Sequence, residues 1–243
     1  MRPTVFLFDI DGTLISTGGA GRRSMEGAFR DAHGARGVTA IDFSFAGMTD
    51  RAIVRTGLRA LEIDGLDDAT IERLLDAYLV RLADEIARTE TYRVHPGVGT
   101  ILEWLPKKER TAIGLGTGNV KKGAYAKLAR GSLDAAFGFG GFGCDAEDRT
   151  ELLRVGAQRG AAALGLSLAE CRVVVIGDTP KDVAAAHGIG ADCIGVGTGG
   201  FDPRALRELG AFAAFATLEE DAVRDALLDA AHQAKVRVPI SAP

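Results

Sequence analysis

The sequence predicts an α/β fold in which a Rossmann-like, doubly wound parallel sheet carries a helical insert. Residues 5–8 and 173–176 are continuous apolar runs, a pattern typical of strands buried on both faces. Helical patterns alternate with short apolar runs through the second half of the chain, as connections between parallel strands require. Both runs end in carboxylates, and open α/β sheets bind their ligands at this edge.

The first strand leads directly into Asp9 and Asp11, which are followed by Gly12 and Thr13. Two carboxylates so close together repel each other unless a cation neutralises them, and hard oxygen ligands suit Mg²⁺. Asp-Gly is also a common turn dipeptide, so this segment by itself leaves an ordinary turn open.

A later strand leads into Asp178, and Asp182 follows four positions on. Pro180 is suited to the first position of a helix, which places Asp182 in the first helical turn. Asp178 is therefore predicted to complete a metal site with Asp9, and Asp182 to support that site. The helix dipole alone also favours an acidic residue in a first turn.

A third strand, residues 112–116, runs into Thr117, Gly118 and Asn119. Small residues let backbone N–H groups approach an anion closely, and the Thr117 hydroxyl can donate a hydrogen bond to it. These three residues, together with Gly12, are the candidates for binding phosphate.

In this order and spacing, the three strand ends resemble the haloacid dehalogenase (HAD) superfamily of phosphohydrolases, most closely its phosphoglycolate-phosphatase-like branch. The resemblance implies a HAD-like core with an α-helical cap domain, Mg²⁺ as cofactor, and hydrolysis of a small phosphomonoester through an aspartyl-phosphate. It makes Asp9 the nucleophile and a metal ligand, and Asp178 the remaining carboxylate ligand. It also makes Asp11 the general acid/base, with its backbone carbonyl on the metal, and Thr117 a phosphoryl-binding residue.

The family pattern also needs a cation, usually a lysine, between the strand end at Thr117 and the strand end at Asp178. This chain departs from that pattern, because residues 128–180 contain no lysine. Arg149, at the start of a predicted helix, is the candidate substitute. Its guanidinium can hold a phosphoryl oxygen and offset the charge of Asp9. Lys121 and Lys122, just after the phosphate-binding turn, are the alternatives, and Arg149 as a solvated helix-start residue is another.

The helical insert lies between the first two motifs, because Thr117 follows Asp11 by 106 positions, far more than one crossover needs. We expect a core of residues 1–16 and 96–243 and a cap of residues 17–95, with hinges at 16–19 and 94–97. Thr49 is predicted to cap one insert helix. Apolar spacing predicts buried faces in two others, formed by Met25, Ala28, Phe29 and Ala32, and by Ile71, Leu74, Leu75, Tyr78, Leu82 and Ile86.

The remaining elements follow the alternation of the core. Strands are predicted at residues 137–142, which are rich in glycine, and at 193–196. Helices are predicted at residues 97–105, 121–128, 150–164, 180–187 and 219–234.

Cap residues are the candidates for choosing the substrate. They are Arg22, Arg23 and the loop of residues 45–51, beside a glycine-rich segment whose N–H groups could approach a ligand (Gly18, Gly19 and Gly21). The two arginines also fit a solvated helix start with no such role.

Composition narrows the partners. A chain of 243 residues with 47% hydrophobic residues can form one sizeable core and a smaller domain. Its formal net charge is −4. The sequence lacks a basic stripe of the kind that binds nucleic acid, so we expect no nucleic-acid partner. No apolar stretch is long enough to span a membrane, so we expect no membrane partner. We expect a cytoplasmic protein acting on a small phosphorylated metabolite; the oligomeric state is not readable from the sequence.

Two other functions fit the same motifs. A phosphosugar mutase of the same superfamily would use Asp9 and Asp11 but return the phosphoryl group to a sugar. A regulatory protein could bind phosphate without turnover, although binding alone needs no proton-transferring carboxylate. A dehalogenase is disfavoured, since it needs neither the metal cluster nor Asp11.

Overall fold

A computed structural model of the protein describes residues 2–63 and 67–232. The strands are β1 Thr4–Phe8, β2 Ile15–Ser16, β3 Arg93–Val94, β4 Thr111–Thr117, β5 Gly140–Phe142, β6 Arg172–Gly177, β7 Asp192–Val196 and β8 Ala213–Phe215. The helices are α1 Ala20–Ala40, α2 Asp50–Ala60, α3 Asp68–Arg88, α4 Val98–Trp104, α5 Lys121–Ala129, α6 Arg149–Ala163, α7 Pro180–Gly188, α8 Pro203–Glu208 and α9 Ala222–His232.

The core is a six-stranded parallel sheet in the order β5-β4-β1-β6-β7-β8. Phe6 and Phe8 of β1 pack into one apolar cluster, whereas Val5 and Leu7 pack into a second one. Alternate side chains of a strand point to opposite faces, so both faces of β1 are covered. The predicted doubly wound α/β fold is confirmed.

The predicted helical insert corresponds to α1, α2 and α3, which share a third apolar cluster. All six apolar positions predicted for α3 are buried, and the Thr49 side chain accepts a hydrogen bond from the N–H of Ala52 at the start of α2. One expectation was wrong, because Ala32 is exposed. The buried face of α1 ends near Phe29, and the helix is broken at Gly34, where φ is 62°.

A two-stranded antiparallel ribbon lies at the two predicted hinges. In it Ile15 of β2 pairs with Val94 of β3, and Ser16 pairs with Arg93. We propose that the chain passes between core and cap at this ribbon. The boundaries at residues 16–17 and 95–96 stay a prediction.

Some core elements differ from expectation. The strand expected at residues 137–142 is shorter, β5, and a 3₁₀ turn at Asp134–Ala136 precedes it. Neither β8 nor α8 was predicted, because three and six residues are too short for a periodic signal. Helix α9 begins three residues later than expected, and residues 233–234 lie outside the described part of the chain.

The described helices include none that is long and apolar enough to cross a bilayer.

Close backbone packing sets where α6, and hence Arg149, lies. Gly141 of β5 faces α6 so closely that a Cβ there would be 1.8 Å from the carbonyl oxygen of Leu152 and 3.0 Å from the N of Gly156. Only a residue without a Cβ lets the strand and the helix approach this far. The first residue of α6 is Arg149, so this contact helps to determine the site.

We expect Gly141→Ala to lower the free energy of unfolding by about 1–3 kcal/mol or more, because the added methyl group would overlap backbone atoms of α6 that cannot move independently. Urea denaturation monitored by circular dichroism measures the change. Gly138→Ala is the matched control, since a Cβ at Gly138 meets nothing within 4 Å. Equal stability of the two variants would contradict the close contact.

Candidate active site

Three carboxylates meet at the carboxyl edge of the sheet. Asp9 follows β1 and Asp178 follows β6, and these two strands are neighbours in parallel register. One oxygen each from Asp9, Asp178 and Asp182 lies within 4.8 Å of the others, and all three side chains are buried. The structure therefore brings together the pair of carboxylates that the sequence predicted to meet.

Burial and mutual repulsion disfavour the charged forms of these acids. Burial raises the pKa of Asp9 to about 6, with Arg149 opposing the rise and the neighbouring acids adding to it. Burial also raises the pKa of Asp178 to about 8, and the charge of Asp9 adds to that effect. Crowded carboxylates of this kind favour a bound cation, which would remove the repulsion.

The surroundings of Asp178 fit a divalent metal ion. Its Oδ1 accepts a hydrogen bond of 3.0 Å from the Thr13 hydroxyl, which orients the carboxylate. A Cβ at Gly12 or Gly199 would lie 2.4 Å or 1.7 Å from its Oδ2, so only glycines at these two positions let the carboxylate lie this close to the backbone. Asp178 also lines a cavity, and buried, oriented carboxylate oxygens beside a cavity are the donor set that Mg²⁺ takes.

Asp182 belongs to the cluster, but both its oxygens are already engaged. Oδ1 accepts from Arg149, and Oδ2 accepts from the backbone N–H and the hydroxyl of Thr179, at 3.0 and 2.7 Å. The bond from the Thr179 N–H is one half of a capping box at the start of α7, and the other half runs from the Asp182 N–H to the Thr179 hydroxyl. Asp182 thus holds Arg149 and the helix start in place.

Arg149 is the cation that reaches the cluster. Its guanidinium lies 3.1 Å from an Asp9 oxygen and is buried between Asp9 and Asp182. The two alternatives are elsewhere: Lys121 and Lys122 are exposed, and Lys121 lies over the ring of Phe142.

Asp11 lies apart from this cluster, in a polar network with the phosphate-binding candidates. Its Oδ2 accepts hydrogen bonds from Asn119 Nδ2 at 2.8 Å and from Lys127 Nζ at 2.7 Å. The Asn119 amide also donates to the buried Thr117 hydroxyl at 2.8 Å, which places Thr117 beside the carboxylates. Gly118 lines the same cavity.

Lys127 was missed by the sequence analysis, although one signal pointed to it. It follows the buried residues Gly123 and Ala124 of α5 by four and three positions, so it lies on the same face of the helix as these two residues. A lysine on an apolar helix face is unusual unless it is paired. Burial alone would lower the pKa of Lys127, but the charges around it, Asp11 above all, raise it above its usual range.

The candidate residues surround a cavity of about 440 Å³, a size suited to a small ligand. Asp9, Asp11, Asp178 and Arg149 line its core side. On the cap side, Arg22 lines the cavity and stacks 4.6 Å above the ring of Phe45.

Some of the other candidates for substrate specificity line the cavity, and others form ion pairs with acidic side chains. Gly19, Gly21 and residues 45–48 line the cavity, as does Asp50. Arg23 instead pairs with Glu85 at an exposed position, and Arg51 pairs with Asp68.

Comparison with known proteins gives a consistent picture. A family model described as haloacid dehalogenase-like hydrolase matches residues 3–190, and a second, HAD-hydrolase-like model matches residues 156–230. Among proteins of curated function, none matches this chain in sequence.

Several solved structures share the fold. A hydrolase from Pseudomonas syringae is 24% identical, with 93% of this chain and 98% of that chain covered and a TM-score of 0.62. CbbY from Rhodobacter sphaeroides in complex with phosphate is 18% identical, with 90% and 96% covered and a TM-score of 0.65. A predicted phosphoglycolate phosphatase from Haemophilus somnus 129PT is 15% identical, with 90% and 95% covered and a TM-score of 0.62.

The raised pKa values of Asp9 and Asp178 predict how the stability of the metal-free protein depends on pH. An acid with a raised pKa in the folded state contributes stability at low pH, and that contribution is lost as the pH rises through the folded-state value. In a chelator, we expect the free energy of unfolding to fall between about pH 5 and about pH 8, measured by urea denaturation.

Asp178→Asn removes one of the two acids, so the fall should be smaller in this variant. Asp229→Asn, on the exposed surface of α9, is the control and should follow the unsubstituted protein. A stability that rises over this pH range, or an unchanged slope in Asp178→Asn, would contradict the repulsion inferred here.

Proposed function

We propose that this chain, which belongs to the haloacid dehalogenase-like hydrolase family, is an Mg²⁺-dependent phosphatase that hydrolyses a small phosphomonoester through an aspartyl-phosphate. The observation that carries the proposal is the position of Asp9. It lies in one cavity with Asp178, with the Arg149 guanidinium at 3.1 Å, and with Asp11.

Asp9 is the nucleophile in this proposal. One of its oxygens attacks phosphorus in line with the ester oxygen, so that an Asp9–phosphorus bond forms as the bond to the leaving group breaks. Covalent catalysis divides one difficult hydrolysis into two easier steps. The Asp9 oxygen must be ionised to attack, and the adjacent Arg149 favours that form.

Arg149 and Thr117 receive the phosphoryl group. The Arg149 guanidinium is held by Asp182, so it can donate to a phosphoryl oxygen without losing its position. The Thr117 hydroxyl is buried beside the cavity and can donate to another oxygen, with the N–H groups of Gly118 and Asn119 nearby.

Asp11 transfers the proton. Protonated, it donates to the oxygen of the leaving group; as a carboxylate it then takes a proton from the water that cleaves the aspartyl-phosphate. Its side chain is 42% exposed, whereas that of Asp9 is 8% exposed, so Asp11 can exchange protons with solvent between the steps.

Asp9 and Asp178, with the backbone carbonyl of Asp11, are the residues that would hold Mg²⁺, and Asp182 supports them. When bound, Mg²⁺ supplies positive charge that offsets the repulsion between Asp9 and the anionic phosphate.

The cap side of the cavity would select the leaving group. Arg22 is oriented by Phe45 and by a hydrogen bond from its Nη1 to the Phe43 carbonyl at 2.9 Å. A guanidinium fixed in this way fits a small anionic or hydroxylated leaving group. Phosphoglycolate is therefore the first substrate to test.

A screen of small phosphomonoesters tests the proposal directly. We expect the protein to release inorganic phosphate with Mg²⁺ and to lose that activity in a chelator. Asp9→Asn should abolish turnover, a loss of at least about 10³-fold, because no nucleophile remains. Free phosphate identifies a phosphatase, whereas a rearranged sugar phosphate would identify the mutase. Phosphate binding without turnover would identify the regulatory alternative.

The role of Arg149 can be tested by comparing it with Lys122, one of the two lysines that the sequence offered as alternatives. We expect Arg149→Met to lower kcat by about 10²–10³-fold, since it removes a charge-assisted donor to the phosphoryl group. Lys122→Met, at an exposed position, is the control and should keep its activity. Because Asp182 would lose its partner, the thermal stability of each variant is measured as well, and Arg149→Lys keeps a charge there. Activity lost in Lys122→Met but kept in Arg149→Met would reverse the assignment.

A further inference from the structure

Lys127 is a buried cation that the mechanism above does not use. Only 4% of the residue is exposed, and its Nζ lies 2.7 Å from Asp11 Oδ2 and 2.6 Å from Asn119 Oδ1. Asn119 Nδ2 donates to the same Asp11 oxygen at 2.8 Å. Oδ2 therefore has two donors, whereas no hydrogen bond to Oδ1 is found within residues 2–63 and 67–232.

All three cap helices approach the Lys127 ammonium group. A Cβ on Gly21 of α1 would lie 3.3 Å from Nζ. Tyr78 of α3 and Asp50, the first residue of α2, are buried close enough to influence the charge of Lys127. Asp50 is itself tied to the core, because its Oδ2 accepts from the backbone N–H of Val120 at 2.8 Å. Exclusion of water strengthens the pairing of Lys127 with Asp11.

We propose that Lys127 is a positioning residue for proton transfer: together with Asn119 it holds Oδ2 of Asp11, so that Oδ1 faces the leaving group. The proposal rests on the proposed function, in which Asp11 exchanges the proton. Asp11 lines the cavity, and Lys127 anchors it from the side where α1, α2 and α3 pack.

Asn119 alone would orient Asp11 less well. Its amide nitrogen carries two N–H donors, and one of them goes to Thr117 Oγ1, so only one is left for Asp11. A carboxylate held by one donor can rotate about its terminal torsion, and proton transfer requires a defined orientation. Lys127 supplies the second fixed contact.

A double-mutant cycle with Asp11→Asn tests whether Lys127 acts through Asp11. Lys127→Met should lower kcat for phosphoglycolate by about 10–10²-fold with little change in KM, a part of what general acid–base catalysis contributes. In the Asp11→Asn background, the same substitution should change kcat by less than about threefold, because the group it positions is already gone. Lys107→Met, at an exposed lysine, is the control and should match the unsubstituted protein.

The leaving group provides a second readout. p-Nitrophenolate leaves without needing a proton, whereas the alkoxide of phosphoglycolate requires one. Lys127→Met should therefore lower kcat/KM much less with p-nitrophenyl phosphate, because kcat/KM reports formation of the aspartyl-phosphate and not its later hydrolysis, which is the same for both substrates. A merely structural role for Lys127 would reduce both kcat/KM values by the same factor. Lys127→Gln keeps a donor in the same buried space and replaces Lys127→Met if that variant unfolds.

The outcomes separate this inference from the proposed function. Equal losses in both backgrounds and with both substrates, in an active protein, would overturn the role of Lys127 and leave the phosphatase assignment intact. An unsubstituted protein that releases phosphate from no phosphomonoester would overturn the phosphatase assignment, and the role of Lys127 with it.

Discussion

The balance of charge around Asp9 is the constraint on which the rest of this site depends. Three buried carboxylates lie within 4.8 Å of one another, and one buried guanidinium, that of Arg149, contacts two of them. Isolated buried charges are costly, so a cluster with excess negative charge is stable only if acids are protonated or a cation binds.

The sheet order creates this cluster from distant parts of the chain. Strand β1 lies between β4 and β6, so the residues at the carboxyl ends of these three strands, among them Asp9, Thr117 and Asp178, meet at one edge. Parallel strands all present their carboxyl ends to the same side, and connections of many residues are needed to return the chain each time. The glycine contact between β5 and α6 then brings Arg149 to this edge.

Two acids of one short motif have different surroundings, and this difference supports different roles. Asp9 is buried next to Arg149, whereas Asp11, two residues later, is partly exposed and paired with Lys127. The first environment suits a nucleophile shielded from water, and the second suits a group that exchanges protons. The insert helices contribute to both, because they approach Lys127 and line the cavity that contains Asp9.

The sequence by itself determined the features that depend on neighbours along the chain. The apolar runs at residues 5–8 and 173–176, the buried face of α3 and the Thr49 cap all follow from local spacing. Only the tertiary structure decided that Arg149 reaches Asp9, that Lys127 reaches Asp11, and that β8 exists. These depend on strand order, helix direction and a close glycine contact between residues far apart in sequence. No local pattern encodes such contacts, since they form only when separate elements pack together.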